Sequence, residues 1–483
     1  MCAAALFFMM TGGLVLAADT TEAEPVQAVA AATQTKAKTA QAAPVQQTYS
    51  LDLDTTKYEK KTMTVDGKKV AFRAYENRVY VAHPVDTTYQ SMNIYVPEGY
   101  FNGKTINGYT AKTAPIFLPN TVGGYMRGAP GQPSENDRMT GGANAMLVAL
   151  SKGYVVAAPG ARGRTTQAAD GTYTGKAPAL KALGAADERD DIYASSVYCP
   201  ITDLDHADMA YEWMFNGVNT YHQGNMGAMK PPAGNSQAKP AGVVTNRPDN
   251  APVEAAAGTE MTAVQQQASK DLKAMYPAYI NSLHLVDKNG KALTLDENGR
   301  GSFADYIKSI YMASAQKALD NGTDLSSKTW LTINDGKVTD MDLAGYAVDV
   351  TRLKAAPAFD ALDMSSAETE EFGTATVDKQ HFTVYGKDHS TIAGSALADK
   401  DIVKTMNPLN YIGKSGVKTA HYWRIRHGEA DRDTTIAVPA VVALRLQQAG
   451  YDVDFASPWA RGHAGDYDLD ELFAWMDAIG HKN

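Results

Sequence analysis

Residues 422–480 decide the fold. They read YWRIR (422–426), HGEADRD (427–433), TTIAVPAVVALRLQQA (434–449), Gly450, YDVDFA (451–456), SPWARGHAGD (457–466), Tyr467, Asp468 and LDELFAWMDAIG (469–480). Tyr422–Arg426 reads as a strand and 427–433 as a polar loop. Ile436, Val438, Val441, Val442 and Leu446 then recur at helical spacing over 434–449. Gly450 stops that helix, and Tyr451–Ala456 is the next strand. Leu469, Leu472, Phe473, Met476 and Ile479 line one side of a closing helix, with Asp468 and Glu471 at capping-box spacing. Strand, loop, helix repeated twice requires parallel pairing, so this end of the chain belongs to an α/β sheet.

Working back from that end, 49–100 contains alternating runs such as Lys69–Arg73 and Asn93–Pro97, with a turn at Asp66-Gly67. Pro115–Leu118 and Tyr154–Ala158 are short apolar runs of buried-strand type, Gly142–Leu150 is a helix, Ile192–Val197 a further strand and His206–Phe215 a further helix. The composition changes near residue 220. Residues 220–385 carry Gly- and Pro-rich sequence, helical patterns at 260–274, 303–321 and 343–355, and a hairpin pattern at 285–300. The Asp287 and Asp296 turns lack the Gly and Glu positions of a calcium loop, so they read as turn chemistry. The expected plan is a mostly parallel sheet with helices on both faces, built from 49–219 and 386–483, with 220–385 inserted as a lid lobe.

Residues 1–18 are uncharged and apolar and end in Ala17-Ala18, which predicts an export signal cleaved near Asp19 and a secreted or periplasmic protein. Residues 19–48 read as a disordered linker. Gly12 and Gly13 interrupt the apolar stretch, so no stable membrane insertion is expected. The 483 residues are 44% apolar, which allows a large core. Against 45 basic residues stand 54 acidic ones, a balance that excludes a nucleic-acid binder. Cys2 and Cys199 are the only two cysteines, which excludes a disulfide scaffold and a four-cysteine zinc site. No metal or cofactor is expected, and the protein is expected to be a monomer.

Functional groups of a parallel sheet collect on loops beyond the carboxyl ends of its strands. Two loops qualify. One carries Asp431 and Asp433, with Glu429 as a third carboxylate, and spacing does not say which of the three matters. The other carries His463 between Gly462 and Gly465, glycines expected to give the loop its reach. An acid followed by a histidine in this order is the second half of a hydrolase triad. Asn120-Thr121-Val122-Gly123-Gly124-Tyr125 follows an early strand, where Gly123 and Gly124 are candidates for half of an oxyanion hole.

These runs resemble the bacterial tannases, α/β-hydrolase serine esterases that release gallic acid from galloyl esters such as tannins and alkyl gallates. The likeness covers residues 75–483. It is carried by PNTVGGY (119–125), APGARGR (158–164), YCPITDLDHAD (198–208), PAFDAL (357–362) and the two C-terminal loops. The resemblance implies that Asp431 is the triad acid and His463 the triad base. It also implies that Lys354, Glu368 and Asp433 bind the hydroxyls of the galloyl ring. One part of the family pattern is missing. No Gly-x-Ser-x-Gly occurs in the chain, and the 33 residues 159–191 contain no buried β-run and are too few for helix, strand, elbow and helix. The sequence reads as the family with its central nucleophile strand deleted between Ala179 and Leu180, leaving the neighbouring strands to pair across the gap or expose their edges. Ser195 and Ser196 lie inside a strand and Ser395 precedes no nucleophile helix. Cys199 reads as a buried structural thiol. Beside a tannase-like ester hydrolase, two alternatives follow: a non-catalytic binder of phenolic ligands, and a truncated gene product without function.

Overall fold

The computed structural model describes residues 5–7, 48–120, 123–137, 140–177, 192–222 and 258–480. Its strands are β1 (Ala5–Phe7), β2 (Glu59–Val65), β3 (Lys68–Val79), β4 (Ser91–Pro97), β5 (Ile116–Leu118), β6 (Val155–Pro159), β7 (Ala194–Tyr198), β8 (Thr220–Tyr221), β9 (Thr259–Glu260), β10 (Leu331–Asn334), β11 (Lys337–Met341), β12 (Tyr422–Arg426) and β13 (Asp452–Ala456). Its helices are α1 (Ala145–Ser151), α2 (Leu204–Phe215), α3 (Ala263–Ser282), α4 (Ser302–Asp320), α5 (Leu343–Val350), α6 (Ala367–Glu371), α7 (Val384–Asp388), α8 (Lys400–Met406), α9 (Ala437–Gln448) and α10 (Leu469–Gly480).

Nine strands form one sheet in the order β13-β12-β7-β1-β5-β6-β4-β3-β2. From β13 to β6 every neighbouring pair is parallel, while β4, β3 and β2 add antiparallel strands at one edge. The β2–β3 turn at Asp66 and Gly67 takes φ +49° and +74°, left-handed at both central residues, as a two-residue hairpin of right-handed twist requires. The parallel strands and their helices make this an α/β-hydrolase-type fold with an inserted lobe. Two hydrophobic cores flank it. One joins Phe117, Leu147, Val156, Leu472, Phe473 and Met476. The other runs from Trp423, Ile425, Val441 and Leu444 into Phe303, Ile307, Trp330 and Phe359, so the lobe shares a core with the sheet.

The predicted gap is occupied. Instead of pairing with one another or leaving open edges, β5 and β7 both pair with β1, a parallel strand from the extreme N-terminal segment. Ala5, Leu6 and Phe7 face Ile116, Phe117 and Leu118, and Leu6 also faces Ala194. The physical reason is that two facing edges with unpaired N–H and C=O groups accept any short strand able to satisfy both. The Ala179–Leu180 junction, residues 19–47 and most of the predicted leader lie outside the described residues. Two further expectations change. Residues 285–300 form no strand hairpin but a single bridge, Val286 to Ala292. Their Asp287 and Asp296 carboxylates each accept two backbone N–H groups, which confirms turn chemistry. Asp468 does not serve as a side-chain cap, because its carboxylate receives the Tyr198 hydroxyl at 2.6 Å and the buried Arg424 guanidinium. Glu471 instead pairs with Lys317 at 2.7 Å.

Candidate functional site

Strands β7, β12 and β13 end side by side, with Tyr198 opposite Arg426 and Arg426 opposite Ala456. The loops that leave β12 and β13 are stapled to each other. Glu429 N donates to Pro458 O at 2.9 Å, Ala430 N to Arg461 O at 2.9 Å, and Ala460 N to the Glu429 carboxylate at 3.1 Å. Gly428 makes this approach feasible, since a Cβ there would lie 2.0 Å from Arg461 O and 2.7 Å from Gly462 O. Gly462 and Gly465, expected to supply the reach, are not the left-handed residues of the second loop. Ala460 and Asp466 take φ +53° and +58°.

The stapled loops set two of the three acids against His463 and turn the third away. His463 Nδ1 lies 3.0 Å from Asp431 Oδ2, and Nε2 lies 3.7 Å from Asp433 Oδ2. With the carboxylate of Asp431 as acceptor, Nδ1 carries the proton and Nε2 faces Asp433. Asp431 is buried and its Oδ1 accepts the backbone N–H groups of Asp433 and Thr434 at 2.9 and 3.3 Å. Burial pushes the Asp431 carboxyl up, but the imidazoles of His463 and His427 outweigh it and hold it well below the usual carboxylate range. Burial pushes His463 down, and Asp431 with Asp433 reverses this and holds it well above the ordinary histidine value. Its side chain is 37% exposed, so solvent screens part of that effect. Glu429 turns away to Ala460 N, and burial pushes its carboxyl up to about 7.

Asp433 connects the dyad to the lobe. Lys354 Nζ lies 3.4 Å from Asp433 Oδ1 and 4.4 Å from the centre of the Phe359 ring. Burial alone would lower the Lys354 ammonium, yet Asp433 and Glu368 beside it hold it above its ordinary value. Glu368, buried in the first turn of α6, is pushed up by burial, with Lys354 opposing. The structure thus brings His463, Asp431, Asp433, Lys354 and Glu368 to one place. The Gly123–Gly124 turn follows β5, with φ +62° at Gly124. Tyr125 beside it feels the charges of Glu371 and Glu368, which places the turn near the acids of α6. Among the described residues no hydrogen bond joins Gly123 or Gly124 to the dyad.

Several positioning groups were not legible beforehand. The buried Tyr211 hydroxyl accepts Leu353 N and Lys354 N at 3.2 and 3.3 Å and donates to Arg432 O at 2.8 Å, tying α2 to both halves of the site. The fully buried Arg352–Glu212 pair, 2.6 Å, anchors the same segment, with Arg352 Nε donating to Lys354 O at 2.7 Å. Buried Asp208 accepts Phe359 N and Asp360 N at 2.8 and 3.0 Å. In the lobe His381 sits between Asp360 (2.7 Å) and Ser390 (2.8 Å). Asp360 also accepts Phe382 N and Thr383 N, and Ser390 Oγ accepts Ile392 N at 3.2 Å, so this relay pins the end of the lobe to the segment that follows it.

Of the remaining sequence candidates, Ser195 and Ser196 are buried inside β7. Ser395 N closes a turn onto Ile392 O. Cys199 is 1% exposed at φ +46° just past β7, beside both Asp431 and His463, and burial raises its thiol.

No family model and no curated protein sequence matches the chain. Solved structures do. The tannase of Fusobacterium nucleatum is 40% identical with a TM-score of 0.80, over 89% of this chain and 100% of that one. A tannase from Lactobacillus plantarum is 38% identical with a TM-score of 0.78, over 89% and 100%. A tannin acyl hydrolase in complex with ethyl gallate is 36% identical with a TM-score of 0.76, over 89% and 99%. With that identity over nearly nine-tenths of its length, the chain belongs to the tannase family.

Proposed function

We propose that this protein acts on galloyl esters as a tannase-type ester hydrolase, with Lys354, Glu368 and Asp433 binding the ring and a His463–Asp431 dyad supplying the base. The observation that carries the reading is the continuous path from His463 Nε2 to Asp433 at 3.7 Å and on to Lys354 at 3.4 Å. It sets one base beside an ammonium and two carboxylates. Such a set suits a phenolic ring: Lys354 donates to a ring oxygen, and Asp433 and Glu368 accept ring hydroxyl protons. Relatives in complex with ethyl gallate and with 3,4-dihydroxybenzoate support the ligand class. A site built for those hydroxyls discriminates against rings lacking them, because its buried polar groups are then left unpaired.

The missing Gly-x-Ser-x-Gly sets the mechanism. Without an elbow serine, the neutral form of His463 is the base, a form whose share grows with pH because Asp431 and Asp433 hold the imidazole above its ordinary value. The Nε2 of that form takes a proton from water as the water oxygen attacks the ester carbonyl. Asp431 steadies the imidazolium, and the proton passes to the departing alcohol. Gly123 and Gly124 are assigned the oxyanion through their N–H groups. Hydrolases stripped of a triad member retain about 10³–10⁴-fold acceleration over water, which is the scale expected here. A second reading, a phenolic-ligand binder without turnover, is favoured by the same missing motif. Export through residues 1–18, a secreted or periplasmic location and a monomeric state are part of the proposal. Calorimetric titration with gallate tests the site: the unmodified protein binds, and Lys354→Met weakens binding at least tenfold. Equal affinity of both would remove the ring site from this place.

A further inference from the structure

We propose that Cys199, His427 and Asp431 form a buried binding site for a borderline-soft divalent cation of the Zn²⁺ type, separate from the phenolic site. The three donors come from adjacent parallel strand ends. Cys199 lies one residue past β7, His427 one residue past β12, and Cys199 N donates to Arg426 O at 2.7 Å, which holds the two ends in register. Asp431 follows four residues later, its N–H returned to Gly428 O at 3.1 Å. The thiol, one imidazole nitrogen and one carboxylate oxygen all lie within 4.8 Å of one another. His427 Nδ1 and Asp431 Oδ2 are 3.5 Å apart. Two ligand atoms on a tetrahedral zinc stand about 3.3–3.6 Å apart, so this pair already has the separation that a shared ion imposes.

An independent observation points to a ligand. His427 is 0% exposed, yet neither ring nitrogen has a hydrogen-bond partner among the described residues. A buried imidazole left that way costs about 1–3 kcal/mol, and a metal bond removes the deficit at one nitrogen. The Cys199 thiol lies against Asp431 and His463 and makes a further long contact, 3.8 Å, to Ala464 O. Sulfur, nitrogen and oxygen donors together select zinc over magnesium or calcium. Binding displaces the thiol proton and leaves a fourth position for water or a backbone carbonyl. Because Asp431 is both the metal donor and the partner of His463, an ion here competes with the dyad and acts as an inhibitor of it.

Titration of the full-length protein with Co²⁺, followed by absorption and then displaced by Zn²⁺, tests the site. The expected result is one Co²⁺ per chain with a near-ultraviolet thiolate-to-cobalt charge-transfer band. That band persists in Cys2→Ser, disappears in Cys199→Ser, and needs at least tenfold more Co²⁺ in His427→Gln. His463→Gln keeps it. Absence of the band from the unmodified protein overturns the proposal, and so does its loss in Cys2→Ser. Binding that survives both Cys199→Ser and His427→Gln but disappears in Asp205→Asn assigns the ion to the Asp203–Asp205–His206 cluster and equally overturns it. If Cys199→Ser fails to melt cooperatively, the comparison of unmodified protein with Cys2→Ser still decides, since the chain has no third cysteine.

Discussion

At the scale of single residues, Gly428 and Glu371 make the sharpest predictions. Gly428→Ala would drive a methyl group into Arg461 O and Gly462 O, and the two loops would have to separate. Asp431 and His463 lie on those loops, so the variant is expected to lose 2 kcal/mol or more of stability (an estimate of about the usual overpacking cost) and most of its His463-dependent activity. Thermal melts and methyl gallate assays check this. Glu371 is buried with neither carboxylate oxygen hydrogen-bonded among the described residues, and burial pushes it up to about 8, with Arg164 and Lys176 opposing. Its folded value lies above its unfolded one. The stability it contributes is therefore complete below pH 4.5 and is lost as pH rises toward 8. Glu371→Gln should raise stability by about 2–3 kcal/mol at pH 7 and by almost nothing at pH 4.5. A gain of equal size at both values would refute the assignment.

At the scale of elements, α2 carries more of the site than its sequence suggests. Tyr211 supports Lys354 from below and Arg432 from the side, through one hydroxyl. Tyr211→Phe leaves two partly buried N–H groups and a carbonyl without that partner, so a loss of about 1–2 kcal/mol is expected together with several-fold weaker gallate binding. Melting curves and calorimetry read the two effects separately, and unchanged affinity would mean that the Lys354 segment holds itself in place. Strand β1 makes a different prediction. Residues 5–7 lie within the stretch proposed as a cleaved leader, yet they complete the sheet between β5 and β7. A chain lacking residues 1–18 is expected to melt at a lower temperature than the full chain. Equal melting would show that the sheet does not depend on β1.

At the scale of the whole molecule, the architecture was legible where periodicity is local. Tyr422–Arg426, the helix after it and Asp452–Ala456 needed only spacing and a terminating glycine to be read. Singling out Asp431 needed the family resemblance, because Glu429, Asp431 and Asp433 on one loop have equal claims by spacing; in the fold the staple at Pro458 and Arg461 turns Glu429 aside and leaves Asp431 and Asp433 beside His463. Tyr211, His427 and Gly428 were missed because their roles exist only between segments distant in sequence. Asp468 was misread because its capping-box spacing carries no trace of the buried Arg424 that claims its carboxylate. The missing elbow was visible as a shortage of chain between β6 and β7. The strand that fills the slot came from the opposite end, where composition argued for export. Among the described residues no helix is long and apolar enough to cross a membrane.

The most direct test of the account is a progress curve of methyl gallate hydrolysis by the full-length protein beside His463→Ala. The expected result is slow turnover that saturates with substrate, exceeds the buffer rate by about 10³–10⁴-fold or more, and falls at least tenfold in the variant, which keeps only what binding and the oxyanion site supply. Turnover at the buffer rate, or turnover unaffected by loss of His463, would contradict it.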